Sequence, residues 1–128
     1  MPIRVLSSLS RLEPYAYLAL RVVAGLLFLC HGLQKFGMLG GQQVELMSRL
    51  GLAAIIEIVG GVFIMAGFLT VPTAFLASGE MAFAYFLAHQ PRGAWPIQNG
   101  GEPAVLFCFL FLFIATRGAG RFSIDQNV

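Results

Sequence analysis

Arg21, His31, Gln34, Lys35, Glu57 and Glu80 are polar side chains set in or beside stretches that are otherwise Leu, Ile, Val, Phe, Ala and Gly. Those stretches are long enough to lie in a bilayer, where a charge at mid-depth costs roughly 2.5–3.5 kcal/mol on insertion scales. Each of Arg21, Glu57 and Glu80 therefore needs a partner, water or a proton. With Lys35 the count is two cations and two carboxylates, a balance that suits pairing inside one bundle. The stretch "CHGLQKFG", Cys30 to Gly37, concentrates the signal. A lysine at a helix end can snorkel to the headgroups and a glycine can stop the helix. His31, a turn deeper, is not explained in that way.

The elements that must position these groups are apolar segments. The chain has 128 residues, 58% hydrophobic and 11% charged, with mean hydropathy +0.80. Soluble domains carry about 25% charged residues, so the composition is that of a membrane protein. The net charge of +2 comes from scattered basic residues, which excludes a nucleic-acid footprint. Cys30 and Cys108 form no C-x-x-C and read as buried small hydrophobes. Arg4 and Arg11 before an apolar run mimic a signal peptide, but small cleavage-site residues are missing, so a retained anchor is expected.

Four segments stand out, at about residues 15–36, 51–69, 72–89 and 101–117. They predict an all-α polytopic membrane protein, an antiparallel bundle of four transmembrane helices in a single domain over 1–128. Thr70-Val71-Pro72 is a tight connection on one face. The long polar connections, 37–50 and 90–102, then share the opposite face. The first is expected to hold a short interfacial helix carrying Val44, Leu46, Met47 and Leu50. For the last segment, Glu102 as N-cap and an Asn99/Glu102 capping box both fit. Arg4, Arg11, Arg117 and Arg121 on the terminal side outnumber Lys35, Arg49 and Arg92 by one, which places both termini in the cytoplasm.

Depth suggests partners. Arg21 and Glu80 lie about 9 and 12 Å from the terminal side at 1.5 Å per residue, so a buried Arg21–Glu80 ion pair is expected. From the long-loop side, His31 and Glu57 are both about 9 Å deep, with Gln34, Lys35, His89 and Glu102 above them, and Asn99 is counted with the same candidate site. The expectation is an open polar cup over a separate ion pair. Small residues share faces with the charges, as in Arg21/Gly25/Phe28/Gly32/Lys35 and Glu57/Gly60/Gly61/Ile64/Gly67, which marks close helix contacts. His89, nine residues from Glu80, points away from it on an ideal helix and is assigned to the surface loop.

The order of an early membrane arginine (Arg21), "HGLQKF", "EIVGGVFIMAGFLT" and "QNGGEPAVLF…RGAGRFSID" resembles the DoxX family of small four-helix bacterial membrane proteins. The resemblance spans about Leu20 to Asp125. It implies His31, Lys35, Glu57, Glu80, Asn99 and Glu102 as characteristic polar positions. It also implies an inner-membrane location and a link to redox or oxidative-stress functions, since members resemble the membrane subunit of thiosulfate:quinone oxidoreductase.

Two functional readings are open. In one, the chain is a quinone-linked redox subunit. His31, Gln34 or Lys35 would donate to a quinone carbonyl, the phenylalanine-rich helices receive the tail, and Glu57 relays protons. In the other, Glu57 pairs with Lys35 or His31 simply to fix the bundle. The chain is then a non-catalytic scaffold for an oxidoreductase or oxidative-stress enzyme. Haem ligation by His31 and His89 is disfavoured by phase, and no metal-site spacing is present. The glycine stripes serve contacts within a protomer or within a homo-oligomer.

Overall fold

The computed structural model describes residues 7–127; Arg4, one of the basic residues that bear on orientation, lies outside them. Helix α1 (Glu13–Lys35) has Pro14 in its first turn, Glu13 at its N-terminus and Lys35 in its last turn, charges that complement the helix dipole. Helix α2 (Arg49–Ala66) is capped by Ser48, whose hydroxyl accepts from the Gly51 N–H at 3.1 Å. It ends at Gly67, whose φ of +70° gives the left-handed stop that favours glycine. Helix α3 (Thr70–Ala84) continues through a π-helical turn, Tyr85–His89, and a 3₁₀ turn, Gln90–Arg92. A short α4 (Pro96–Asn99) leads to α5 (Glu102–Arg117). No strand occurs among the described residues.

Three stretches are long and apolar enough to cross a membrane: Glu13–Lys35, Arg49–Ala66 and Thr70–Arg92. Helix α5 has 16 residues, about 24 Å, short of the ~20 residues that a span requires. The four spans expected from hydropathy thus become three candidate spans and a shorter helix. Two local expectations also change. Residues 38–48 are not helical, so the interfacial helix is absent there. The N-cap of α5 is Gly101, not Glu102, and the Asn99 side-chain oxygen accepts from the Gly101 N–H at 2.8 Å.

The axial register of α1 against α2 is set by glycine. A Cβ on Gly25 would stand 2.7 Å from the Gly61 carbonyl oxygen, one on Gly61 2.6 Å from the Gly25 oxygen, and one on Gly32 2.8 Å from the Ala54 oxygen. Backbones that close admit no side chain, so these contacts lock two antiparallel helices in one alignment. Helix α2 packs mainly on α1 and α3 mainly on α5. Phe28, Ile64, Phe107, Phe111 and Ile114 fill the middle, with the Phe28 and Phe111 rings 4.7 Å apart.

Below this core lies the largest departure from expectation. Arg21 is 2% exposed and does not meet Glu80. Its guanidinium donates to four main-chain carbonyls: Ile64 at 2.9 Å, Met65 at 3.3 Å, Ala119 at 2.5 Å and Phe122 at 2.6 Å. The register explains why. In the alignment that places Gly25 on Gly61, Arg21 is level with Met65, at the end of α2. Glu80 is level with Glu57, eight residues or about 12 Å away along the axis. Helical side chains lean toward their own N-terminus, which carries Arg21 further in the other direction. It instead neutralises the negative end of α2 and ties down the C-terminal segment.

That segment makes the complementary contact. The Asp125 carboxylate accepts from the Leu69 and Thr70 N–H groups at 2.8 and 3.0 Å, capping the N-terminus of α3. Arg117 pairs with Glu13 and lies over the Tyr17 ring. Desolvation pushes the Asp125 carboxyl up, but hydrogen bonds from Thr70 and Leu69 outweigh it and hold the group below its ordinary value. The contribution of a group so depressed is complete above about pH 4 and lost as pH falls through the lower, folded-state value. Asp125→Ala is expected to cost about 1 kcal/mol at pH 7, the usual worth of an N-cap. Thermal unfolding in detergent checks this, and the gap between the two proteins should close in acid.

Candidate functional site

At the opposite end of the core, α1, α2, α3 and the start of α5 enclose a cavity of about 190 Å³. His31, Lys35, Glu57, Glu80, His89 and Phe107 are among its lining residues. Helix geometry brings the first charged pair together. Lys35 leans toward the N-terminus of α1, into the protein, and Glu57 leans toward the N-terminus of α2, toward Lys35. The Lys35 ammonium thus donates to both Glu57 oxygens, at 3.0 and 2.8 Å, instead of snorkelling outward. Glu57 is 1% exposed, while the Lys35 side chain keeps 24% exposure. The pair is shielded on one side only.

Glu80 stands beside Glu57, within hydrogen-bonding range of its carboxylate. One of its oxygens, Oε2, is buried without a hydrogen-bond partner. Two adjacent carboxyl groups in a low-dielectric site do not both ionise readily. His31 meets Phe107 edge-on, ring centroids 5.7 Å apart. His89 Nδ1 lies 3.3 Å from the Asn99 carbonyl oxygen, and its ring stacks with Tyr85.

Of the six residues expected in the cup, His31, Lys35 and Glu57 line it. Asn99 stands behind it as a positioning residue. It is 3% exposed and donates to Tyr85 Oη at 3.2 Å and the Gly93 carbonyl at 3.1 Å. Gln34 is exposed and donates to the Leu39 carbonyl at 3.3 Å. Glu102 is exposed in the first turn of α5. No group of three or more His, Cys, Asp or Glu residues suited to a metal ion occurs among the described residues.

Glu80 joins the cup against expectation, and His89, placed at this level by depth but turned away by its phase on an ideal helix, joins it too. For Glu80 a sequence signal existed. Glu57 precedes Gly67 by ten residues and Glu80 follows Thr70 by ten. Two helices joined by a tight turn hold such residues at equal depth, and measuring each from a different membrane face hides it. His89 is turned inward by the π-helical stretch Tyr85–His89, in which the Gln90 N–H reaches back to the Tyr85 carbonyl. One extra residue in a turn rotates the later residues by about 100° relative to an α-helix. The cue is Pro91, which offers no N–H to the Leu87 carbonyl and crowds it.

Comparison with known proteins gives the chain's relations. A family model described as DoxX matches residues 16–90. An uncharacterized protein of Haemophilus influenzae is 38% identical, with 95% of this chain and 97% of that one covered. The "Inner membrane protein YqjF" of Escherichia coli is 31% identical over 92% of this chain and 95% of its own. The "Uncharacterized membrane protein Rv3486" of Mycobacterium tuberculosis is 27% identical over 90% and 82% respectively. No solved structure matches the chain significantly.

Proposed function

The chain belongs to the DoxX family of membrane proteins, and from that premise we propose that it is a redox-associated, quinone-linked subunit whose cup receives a quinone ring. The observation that carries this is the cavity's mixed lining. Hydrogen-bond donors and carboxyls (His31, Lys35, Glu57, Glu80, His89) share a lining of about 190 Å³ with Met81, Ala84 and Phe107. A flat ring with polar atoms at its two ends needs such walls. His31 donates to one ring oxygen and Phe107 packs on the ring face. Glu57 relays protons at the ring, and Lys35 fixes Glu57. A bound quinone supplies the two-electron chemistry. The electrons come from a partner oxidoreductase.

A second reading rests on one observation. The Lys35–Glu57 pair satisfies both charges within the bundle, as expected of a scaffold or assembly partner for an oxidoreductase or oxidative-stress enzyme. One experiment separates the two. The chain is purified alone in mild detergent, and quinone is extracted and quantified for the wild type and for His31→Leu. Near-stoichiometric quinone in the wild type that falls to background in the variant supports the first reading. Absence of quinone from the wild type, with redox activity only when a partner is added, supports the scaffold. The inner bacterial membrane as location, α5 as a fourth, short span and both termini in the cytoplasm belong to the same proposal. Reporter fusions to the C-terminus test the orientation.

A further inference from the structure

The cup is too small to hold an amphiphile. Sites for whole small molecules occupy roughly 300–1,000 Å³, and 190 Å³ accommodates little more than a ring. A second, larger space adjoins it. Between α2 and α3 runs an apolar groove of about 640 Å³ lined by Leu52, Ile56, Phe75, Phe83 and Leu87. Phe75 and Phe83 are 68% and 62% exposed on the outer surface of the bundle, where lipid would be. The groove and the cup share Leu50, Ala53, Glu80 and Ala84 as a common wall.

The groove between α2 and α3 has a structural cause. Helices α2 and α3 are tied together at Gly67–Leu69 but pack mainly on other partners, α1 and α5. On α2 the groove residues, Leu52 and Ile56, lie well away from the turn, where the hairpin has diverged. Gly79 sits midway, and a Cβ built there meets nothing within 4 Å. Glu80 comes next in the chain, and its buried Oε2 has no hydrogen-bond partner. A buried acceptor is ordinarily matched by a donor. A quinone carbonyl only accepts, whereas the phenolic O–H of the reduced ring donates.

We propose that the α2–α3 groove is the intramembrane route to the cup, taking the isoprenoid chain of a hydroquinone whose ring hydroxyl donates to Glu80 Oε2. This rests on the quinone-linked reading and adds three things to it: the path, the site of the tail and a preference for the reduced ring. The apolar walls bury the chain, whose transfer from water is favourable in proportion to area. Glu80, at the inner end, recognises the head.

The test compares Gly79→Leu with the wild type, in detergent, for two probes: a tail-less methylated hydroquinone and a hydroquinone bearing a four-isoprene chain. Leucine at 79 has room and is a better helix former than glycine, so the variant is expected to fold. It should weaken the long-chain probe by roughly tenfold or more while leaving the tail-less probe within about twofold. Glu80→Gln, with an unchanged groove, should lose the preference for hydroquinone over quinone of the same chain length. Equal affinities of Gly79→Leu and wild type for the long-chain probe would overturn the route, even though binding of the tail-less probe still supported the cup. Failure of the wild type to bind either probe would overturn both readings. A wild-type dimer that Gly79→Leu converts to a monomer, with probe binding unaltered, would assign the groove to a second copy and overturn the proposal.

Discussion

Arg21→Ala is expected to leave little folded protein. Its guanidinium makes four hydrogen bonds, to Ile64, Met65, Ala119 and Phe122, all from a site 2% exposed. Hydrogen bonds from a charged donor contribute about 1.5–3 kcal/mol each, and buried carbonyls left without one are costly. The contributions do not add simply, yet a loss above about 4 kcal/mol, at the extreme of single substitutions, is expected. Size-exclusion profiles and thermal unfolding in detergent provide the measurement. Arg21→Lys should recover only part of the loss, because one ammonium cannot reproduce a planar fork reaching both the end of α2 and the C-terminal segment. The decisive comparison is with Glu80. An Arg21–Glu80 ion pair would make the double variant milder than Arg21→Ala alone. The observed geometry predicts instead that Glu80→Gln adds to Arg21→Ala within about 0.5 kcal/mol, since the two groups share no partner.

Lys35→Met is expected to give the second largest effect, and here rescue should occur. The substitution leaves Glu57, 1% exposed, beside Glu80 with its ammonium partner gone. Breaking a buried pair by removing one partner costs about 3–5 kcal/mol. Because Lys35 is 24% exposed, a cost of about 2–3 kcal/mol is expected, at or just below the lower edge of that range. Replacing both members, Lys35→Met with Glu57→Gln, should cost less than Lys35→Met alone, with a coupling energy of about 1–2 kcal/mol in a double-mutant cycle. Strict additivity would mean that the two side chains do not act as a pair. Restored stability in the double variant without restored quinone binding would separate the pair's structural role from its role in the cup.

The two charged layers show how differently legible their residues were. The role of Lys35 could be read from neighbours on its own helix and from the depth of Glu57. A turn and a half of helix is enough to place His31 and Lys35 at one end of α1. Arg21 was conspicuous as a charge in an apolar run, but its partners are main-chain carbonyls, which carry no mark in a sequence. The segment "RGAGRFSID" was visible as a motif, whereas its task, delivering the Ala119 and Phe122 carbonyls and the Asp125 carboxylate across the ends of α2 and α3, was not. Asn99 illustrates the converse. Its buried polar side chain holds the loop behind the cup and does not face the cavity.

By itself the sequence determined that the chain is a membrane protein of the DoxX family, that apolar helices make up most of it, and which few polar residues would matter. Those properties depend on composition and on the order of residues along one strand of chain, so a linear reading captures them. Partner choice was decided only by the tertiary structure. The Gly25–Gly61 and Gly32–Ala54 contacts fix how far α1 slides along α2, and that slide separates Arg21 from Glu80 by about two turns. The π-helical turn before Pro91 rotates His89 into the cup. Axial offset and rotation are relations between helices, and hydropathy carries neither. In "CHGLQKFG", accordingly, the sequence located one wall of a polar site, and the packing of α2 and α3 supplied the wall opposite.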